Sequence, residues 1–127
     1  MKYLLDTNIL ILFNNEDFDT VNKIKTIQSF YVSSISVGEL YYGAYKSLYI
    51  NYNLLKVKNL VQCNYLCMIN DLTANCYGII RAEQKKKGKP LSHNDLWIAA
   101  SAMEHDLILV TRDSALLDLD CVKTEKW

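Results

Sequence analysis

With 127 residues, half of them hydrophobic, the chain has the material for one domain with a substantial core. Lys plus Arg and Asp plus Glu both number 14, so the formal net charge is zero. That excludes a protein that coats nucleic acid by bulk charge, though not a local basic surface. No apolar run is long enough to span a membrane. Asp6 and Asn8 interrupt the first apolar stretch, which is therefore no signal peptide. A cytoplasmic location without a membrane partner is expected.

Tyr3, Leu4 and Leu5 form an apolar run that stops at an acid, Asp6. Such a run predicts a strand covered on both faces, with Asp6 at the rim of its sheet. Two readings stay open: Asp6, Thr7 or Asn8 caps the helix expected over 8–13, or Asp6 stands at the sheet rim where α/β folds form sites. Val21, Ile24 and Ile27 predict a helix over 18–28, and the β-branched stretch after it predicts a strand over 30–32. Ser33, Ser34 and Ser36 offer caps for a further helix. On that helix Glu39 shares a face with Gly43 and Lys46. Tyr41, Tyr45, Leu48 and Tyr52 lie roughly opposite and read as core or dimer interface rather than as a base-stacking platform. Helix continues over 52–61, and a strand is expected over 65–69.

Asn70 or Asp71 caps a long helix, with Leu72, Cys76, Ile79 and Ile80 expected to face inward. It ends in the basic cluster Lys85, Lys86, Lys87 and Lys89, with Gly88 and Pro90 as stops. These lysines complement the negative end of the helix dipole, or alternatively contact phosphates together with Arg112. Ser92 and Asp95 fit a capping box. Leu96 to Met103 predicts a helix buried all round. Leu107 to Val110 predicts a strand that runs into Thr111, Arg112 and Asp113. A short helix over 114–117 and a strand near Cys121 and Val122 complete the chain. The four cysteines, Cys63, Cys67, Cys76 and Cys121, make no C-x-x-C pair and read as small buried thiols. His93 and His105 read as surface or helix-end residues, with His93 close enough to Asp95 in sequence to support it. Alternating strands and helices predict one α/β domain over 1–127, with a mostly parallel, twisted sheet of four to five strands and helices on both faces.

Asp6 and Asp113 each follow an apolar strand, and if those strands are parallel neighbours their carboxylates meet at one edge. Asp95 and Glu39 sit near helix starts that can aim acids at the same edge. Clustered carboxylates repel one another and call for a cation. Hard oxygen donors at a water-accessible rim suit Mg²⁺ or Mn²⁺, ions that serve phosphodiester hydrolysis. No phosphate-binding glycine loop, nucleophile elbow or zinc spacing competes.

Five segments carry a family resemblance: Y-L-L-D-T-N-I-L at Tyr3 to Leu10, S-V-G-E-L-Y-Y-G-A at Ser36 to Ala44, Y-G-I-I-R-A at Tyr77 to Ala82, G-K-P-L-S-H-N-D-L-W-I-A-A at Gly88 to Ala100, and L-V-T-R-D at Leu109 to Asp113. In this order and spacing the chain resembles PIN-domain endoribonucleases, in particular VapC-type toxins of bacterial toxin–antitoxin pairs. The resemblance implies a three-layer PIN-like fold. It also implies a catalytic metal site of Asp6, Glu39, Asp95 and Asp113, supported by Asn8 and Thr111. Mg²⁺ is the implied cofactor, with Mn²⁺ as the other candidate. The implied substrate is single-stranded or loop RNA, transfer RNA included, and the implied partner is a cognate antitoxin; the tyrosine-rich stretch from Tyr41 to Tyr52 adds a homodimer as the expected state. Leu116 and Leu117 stand where the family often has Phe, and the family varies between Asp and Asn at position 113. Two other readings are a PIN fold that binds RNA or protein without cleaving, and a receiver-type signalling domain. The second lacks the acid pair and the strand-ending acid it needs.

Overall fold

The computed structural model describes residues 2–127. Five short strands, β1 (Tyr3–Leu5), β2 (Tyr31–Ser33), β3 (Tyr65–Cys67), β4 (Ile108–Val110) and β5 (Thr124–Glu125), form one sheet in the order β3-β2-β1-β4-β5. Every neighbouring pair is parallel. β1 is central, and Leu4 and Leu5 are both fully buried because each points into a different layer. The sheet winds outward from β1 to β3, then returns to the other side of β1 for β4 and β5. The reversal between β1 and β4 is the topological switch point at which α/β sheets leave a crevice beyond their carboxyl ends.

Helices α1 (Thr7–Asn14), α2 (Phe18–Lys25), α3 (Ser34–Tyr45) and α4 (Ile50–Cys63) precede β3. Leu5, Ile9, Leu10, Val32, Leu40, Val57, Leu60 and Val110 pack together in the layer these helices cover. Helices α5 (Asp71–Lys86), α6 (His93–Glu104) and α7 (Ser114–Leu117) cover the opposite face, over Leu4, Ile80, Leu96, Ile98, Leu109 and Leu116. The three-layer architecture matches the expectation. No helix among the described residues is long and apolar enough to cross a membrane.

Several local expectations shift. The helical stretch expected through Tyr52 is broken after Tyr45, where Ser47 donates to the Ala44 carbonyl and receives a bond from Asn53. The hairpin so formed leaves Tyr45, Leu48 and Tyr52 exposed, while Tyr41 packs against the core. On α5 the inward face is rotated by one residue. Thr73, Ile80 and Gln84 are buried, whereas Leu72 and Ile79 are exposed. Thr73 is drawn inward by its reciprocal cap with Asn70 and its bond to Glu104. The last strand is Thr124–Glu125 rather than the region of Cys121 and Val122, since Val122 packs in the core instead of pairing. Of the cysteines only Cys67 is buried; Cys76 is half-buried, and Cys63 and Cys121 are exposed. Burial, aided by the charge of Glu104, pushes the Cys67 thiol up to about 11, so it is an inert core group.

Candidate active site

The register of β1 on β4 builds the rim of the crevice. Leu5 pairs with Val110, and the Asp6 amide donates to the Val110 carbonyl at 2.9 Å, so the two chains leave the sheet side by side. Thr111 Oγ1 donates to Asp6 Oδ2 at 2.8 Å and accepts from the Asp113 amide at 3.0 Å. The Thr7 amide donates to Asp6 Oδ1 at 2.8 Å. Asp6 therefore caps α1, and its carboxylate stands at the switch point, only 4% exposed. Burial pushes Asp6 above its ordinary value of 3.8. The Thr111 and Thr7 bonds pull it back, and the charges of Asp113 and Glu39 push it up again. Asp113 caps α7 through a 2.8 Å bond from the Ala115 amide.

Glu39, exposed on the second turn of α3, is reached from α1. Thr7 Oγ1 donates to Glu39 Oε1 at 3.0 Å and lies 2.8 Å from Ser36 Oγ. Thr7 has one hydroxyl proton and an ionised carboxylate can only accept, so Ser36 donates to Thr7 and Thr7 to Glu39. Sequence reasoning missed Thr7 and Ser36 as site residues. Their signal is positional, for Ser36 lies one helical turn before Glu39 and Thr7 beside Asp6. Asp95 enters from the first turn of α6, where its amide donates to Ser92 Oγ at 3.2 Å. The reciprocal half of the expected capping box, from the Ser92 amide to the Asp95 carboxylate, is not among the described bonds. Burial raises Asp95 above its ordinary value, the Ser92 hydroxyl lowers it, and the charges of Asp6 and Asp113 raise it. Four acids from four chain segments thus share one negative field.

The other expected residues have partners of their own or stand exposed. Asn8 is exposed on the first turn of α1, with no side-chain hydrogen bond among the described residues. Lys87 pairs with Asp120 at 2.5 Å and Lys89 with Asp118 at 2.8 Å, which ties the end of α5 to the loop after α7. Arg112 Nε donates to the Trp127 carbonyl at 2.6 Å, and its other end lies 3.7 Å from Asp17. Lys85 and Lys86 are exposed and enter no ion pair among the described residues. His105 is exposed at the end of α6, and His93 is exposed at its start with Nδ1 2.7 Å from the Tyr77 hydroxyl.

As the side chains stand, no three His, Cys, Asp or Glu groups among the described residues are close enough to grip one ion. Mg²⁺ does not require such a cage, because it keeps several waters and takes one or two carboxylates together with substrate phosphates. The donors fit it in kind: they are hard oxygens, and each Asp6 oxygen carries one hydrogen bond and retains a lone pair. Repulsion among the four acids supplies the electrostatic reason for a cation.

Comparison with known proteins agrees with the geometry. Residues 3–120 match the PIN domain family. The chain is 34% identical over 130 residues to ribonuclease VapC2 of Haemophilus influenzae, covering all of this chain and 98% of the relative. It is 30% identical over 136 residues to the tRNA(fMet)-specific endonuclease VapC of Shigella flexneri, with the same coverage. Among solved structures, VapBC2 from Rickettsia felis bound to a promoter DNA fragment superposes with a TM-score of 0.92 at 27% identity, covering 100% of this chain and 99% of that one. DNA-bound VapBC from Salmonella typhimurium gives 0.91 at 29% identity, covering 100% and 98%. A family match over nearly the whole length, with acids gathered at the β1–β4 switch point, establishes that this chain belongs to the PIN domain family.

Proposed function

We propose that the protein is a VapC-type toxin: a metal-dependent endoribonuclease that hydrolyses phosphodiester bonds in single-stranded or loop RNA and is neutralised by a cognate antitoxin. The observation that carries this reading is the buried Asp6 carboxylate, bonded at both oxygens and surrounded by the charges of Glu39, Asp95 and Asp113. Names of the relatives support it, since they are ribonucleases and one acts on tRNA(fMet). So do the toxin–antitoxin complexes among the structural neighbours.

Asp6, Glu39, Asp95 and Asp113 would hold Mg²⁺ or Mn²⁺. When bound, the ion supplies a water of lowered pKa and neutralises charge on the scissile phosphate. The chain's own residues do the positioning. Thr111 fixes Asp6 Oδ2, the Thr7 amide fixes Oδ1, and the Ser36–Thr7 hydroxyl pair turns Glu39 toward the rim. Pre-organised side chains need no rearrangement when substrate arrives. Glu39 is exposed, so the acids are open to solvent and to an RNA strand on its side. An antitoxin arginine would oppose the same cluster, because a guanidinium pairs with two carboxylate oxygens at once.

The test is cleavage of a single-stranded RNA by purified Asp95→Asn protein with saturating Mg²⁺. The change keeps shape and removes a charge. Loss of about 100-fold or more in kcat, typical of a group acting on developing charge, is expected. Full activity would overturn the assignment.

A further inference from the structure

Helices α1 and α3 follow the parallel neighbours β1 and β2, so both leave the carboxyl edge of the sheet and run the same way. Their first turns are joined by the Thr7 hydroxyl, which bonds Glu39 at 3.0 Å and lies 2.8 Å from Ser36. Beyond that joint the two helices and α4 leave a cavity of about 250 Å³. Glu39 lines its near end, Ile11 and Leu40 lie along it, and Lys56 of α4 stands at its far end beside Asn14. Glu39 and Gly43 are one helical turn apart, and both line the space. Side chains on a helix lean toward its N-terminus, so one at position 43 would project toward Glu39. A Cβ there meets no atom of the chain within 4 Å. Gly43 does not adopt the left-handed conformation that calls for glycine. What its missing side chain provides is room.

Lys56 is set at that far end rather than free to sweep the surface. It is half-buried, its Nζ donates to the Asn14 carbonyl at 2.9 Å, and the same ammonium lies 4.7 Å from the centre of the Tyr52 ring. Asn14 and Lys56 also line a larger cavity that includes Phe13 and Leu60, so the bond between them is the wall where the two spaces meet. An ammonium has three N–H donors. One goes to Asn14, and no other acceptor bonds Lys56 among the described residues. Glu39 and Lys56 are the only charged residues that line the smaller cavity. Asn14 lies two helical turns past Thr7, about 10 Å along α1. A cation at that range does not reach a phosphate held at the acids, but it meets the next stretch of the same backbone. The four acids repel a phosphodiester strand. A fixed positive charge beside them offsets that repulsion and sets where the strand lies.

We infer, on the nuclease reading proposed above, that Lys56 holds a backbone phosphate of the RNA flanking the bond that is cut, with the strand lying in the cavity between α1 and α3 that Gly43 keeps open. Such a contact carries no sequence information, so it positions the strand and leaves the choice of base to other groups. Binding is measured first. A labelled single-stranded oligoribonucleotide is titrated with the full-length protein in EDTA over a range of KCl concentrations. Lys56→Gln keeps a donor for the Asn14 carbonyl and removes the charge. The slope of log affinity on log salt should become shallower by about 0.7 in this variant, the value of one phosphate contact to a single strand, and Lys56→Arg should keep the wild-type slope. In a set of strands that each carry one uncharged methylphosphonate linkage, one position should weaken binding to wild type but not to Lys56→Gln. Cleavage with Mg²⁺ is measured second. There Lys56→Gln should raise KM about threefold to tenfold at unchanged kcat, the sign of a contact equally strong before and during reaction. Gly43→Met puts a side chain into the space and should raise KM as well; it decides the matter if Lys56→Gln does not fold. A lower melting temperature with an unchanged salt slope makes Lys56 a tie between α4 and α1 and overturns the phosphate site. So does a Gly43→Met protein that binds RNA as wild type does. RNA cut with an unchanged KM by Lys56→Gln overturns the site and leaves the nuclease intact. A slope that depends on Lys56 without any RNA cleavage keeps the site and removes the nuclease.

Discussion

Replacing Thr111 by Val would remove the hydroxyl that bonds Asp6 Oδ2 and accepts the Asp113 amide while keeping almost the same volume. A buried carboxylate oxygen would lose its partner, which costs about 1–3 kcal/mol. Urea unfolding should show that loss, and cleavage should fall with it as Asp6 loses its fixed orientation. Asp6 gives a second prediction. Its folded pKa and that of Asp95 lie above their ordinary values, chiefly through burial. Such groups contribute stability that is fully present below the unfolded pKa and is lost as pH rises through the raised folded pKa. With EDTA present, the protein should therefore melt at a higher temperature in mild acid than at neutral pH. Asp6→Asn should flatten this slope, raise the metal-free Tm at neutral pH and shrink the gain on adding Mg²⁺, since binding to the native state alone is what stabilises it. Asn caps helices about as well as Asp, so an unchanged Mg²⁺ gain in this variant would reduce Asp6 to a cap.

Among the elements, α6 links structure and site most directly, because the turn that Ser92 caps also carries Asp95. Ser92→Ala should cost about 0.5–2 kcal/mol by thermal or chemical melting. It should also lower cleavage, since Asp95 loses the hydroxyl that fixes its amide. The two buried strands and this buried helix were legible from continuous apolar runs that end at polar residues. Asp6, Asp95 and Asp113 were legible as acids where those runs meet the rim. Glu39 was marked less sharply, as an acid near a helix start and through its motif, because an exposed acid on a helix has no distinctive local pattern. Thr7 and Ser36 were not, because a hydroxyl relay between segments 29 residues apart follows from tertiary packing. The rotated face of α5 escaped for a similar reason. Leu72 is the more apolar residue, but the cap and the Glu104 bond draw Thr73 inward instead. Periodicity registers hydrophobicity and is blind to such polar anchors.

At the scale of the whole molecule, exposed apolar side chains collect at the turn between α3 and α4. Tyr42, Tyr45, Leu48, Tyr49 and Tyr52 are each 62–85% exposed there. Aromatic side chains of this kind are enriched at interfaces, and a homodimer is the expected state. Light scattering should give twice the 14.7 kDa chain mass, and Leu48→Asp should halve it; a monomer at micromolar concentration would count against the dimer. The strand order has a different consequence, for the order of synthesis. β1 is made well before its neighbour β4 and before Thr111 and Asp113, which complete the rim. The bond that joins Asp6 to Thr111 spans 105 positions. Domains grow from their N-terminus at about 5–20 residues per second. During most of that time Asp6 is present without Thr111 or Asp113 beside it. On the reading proposed above, the cutting edge stays incomplete until the chain has been made past Thr111, long after Asp6 itself.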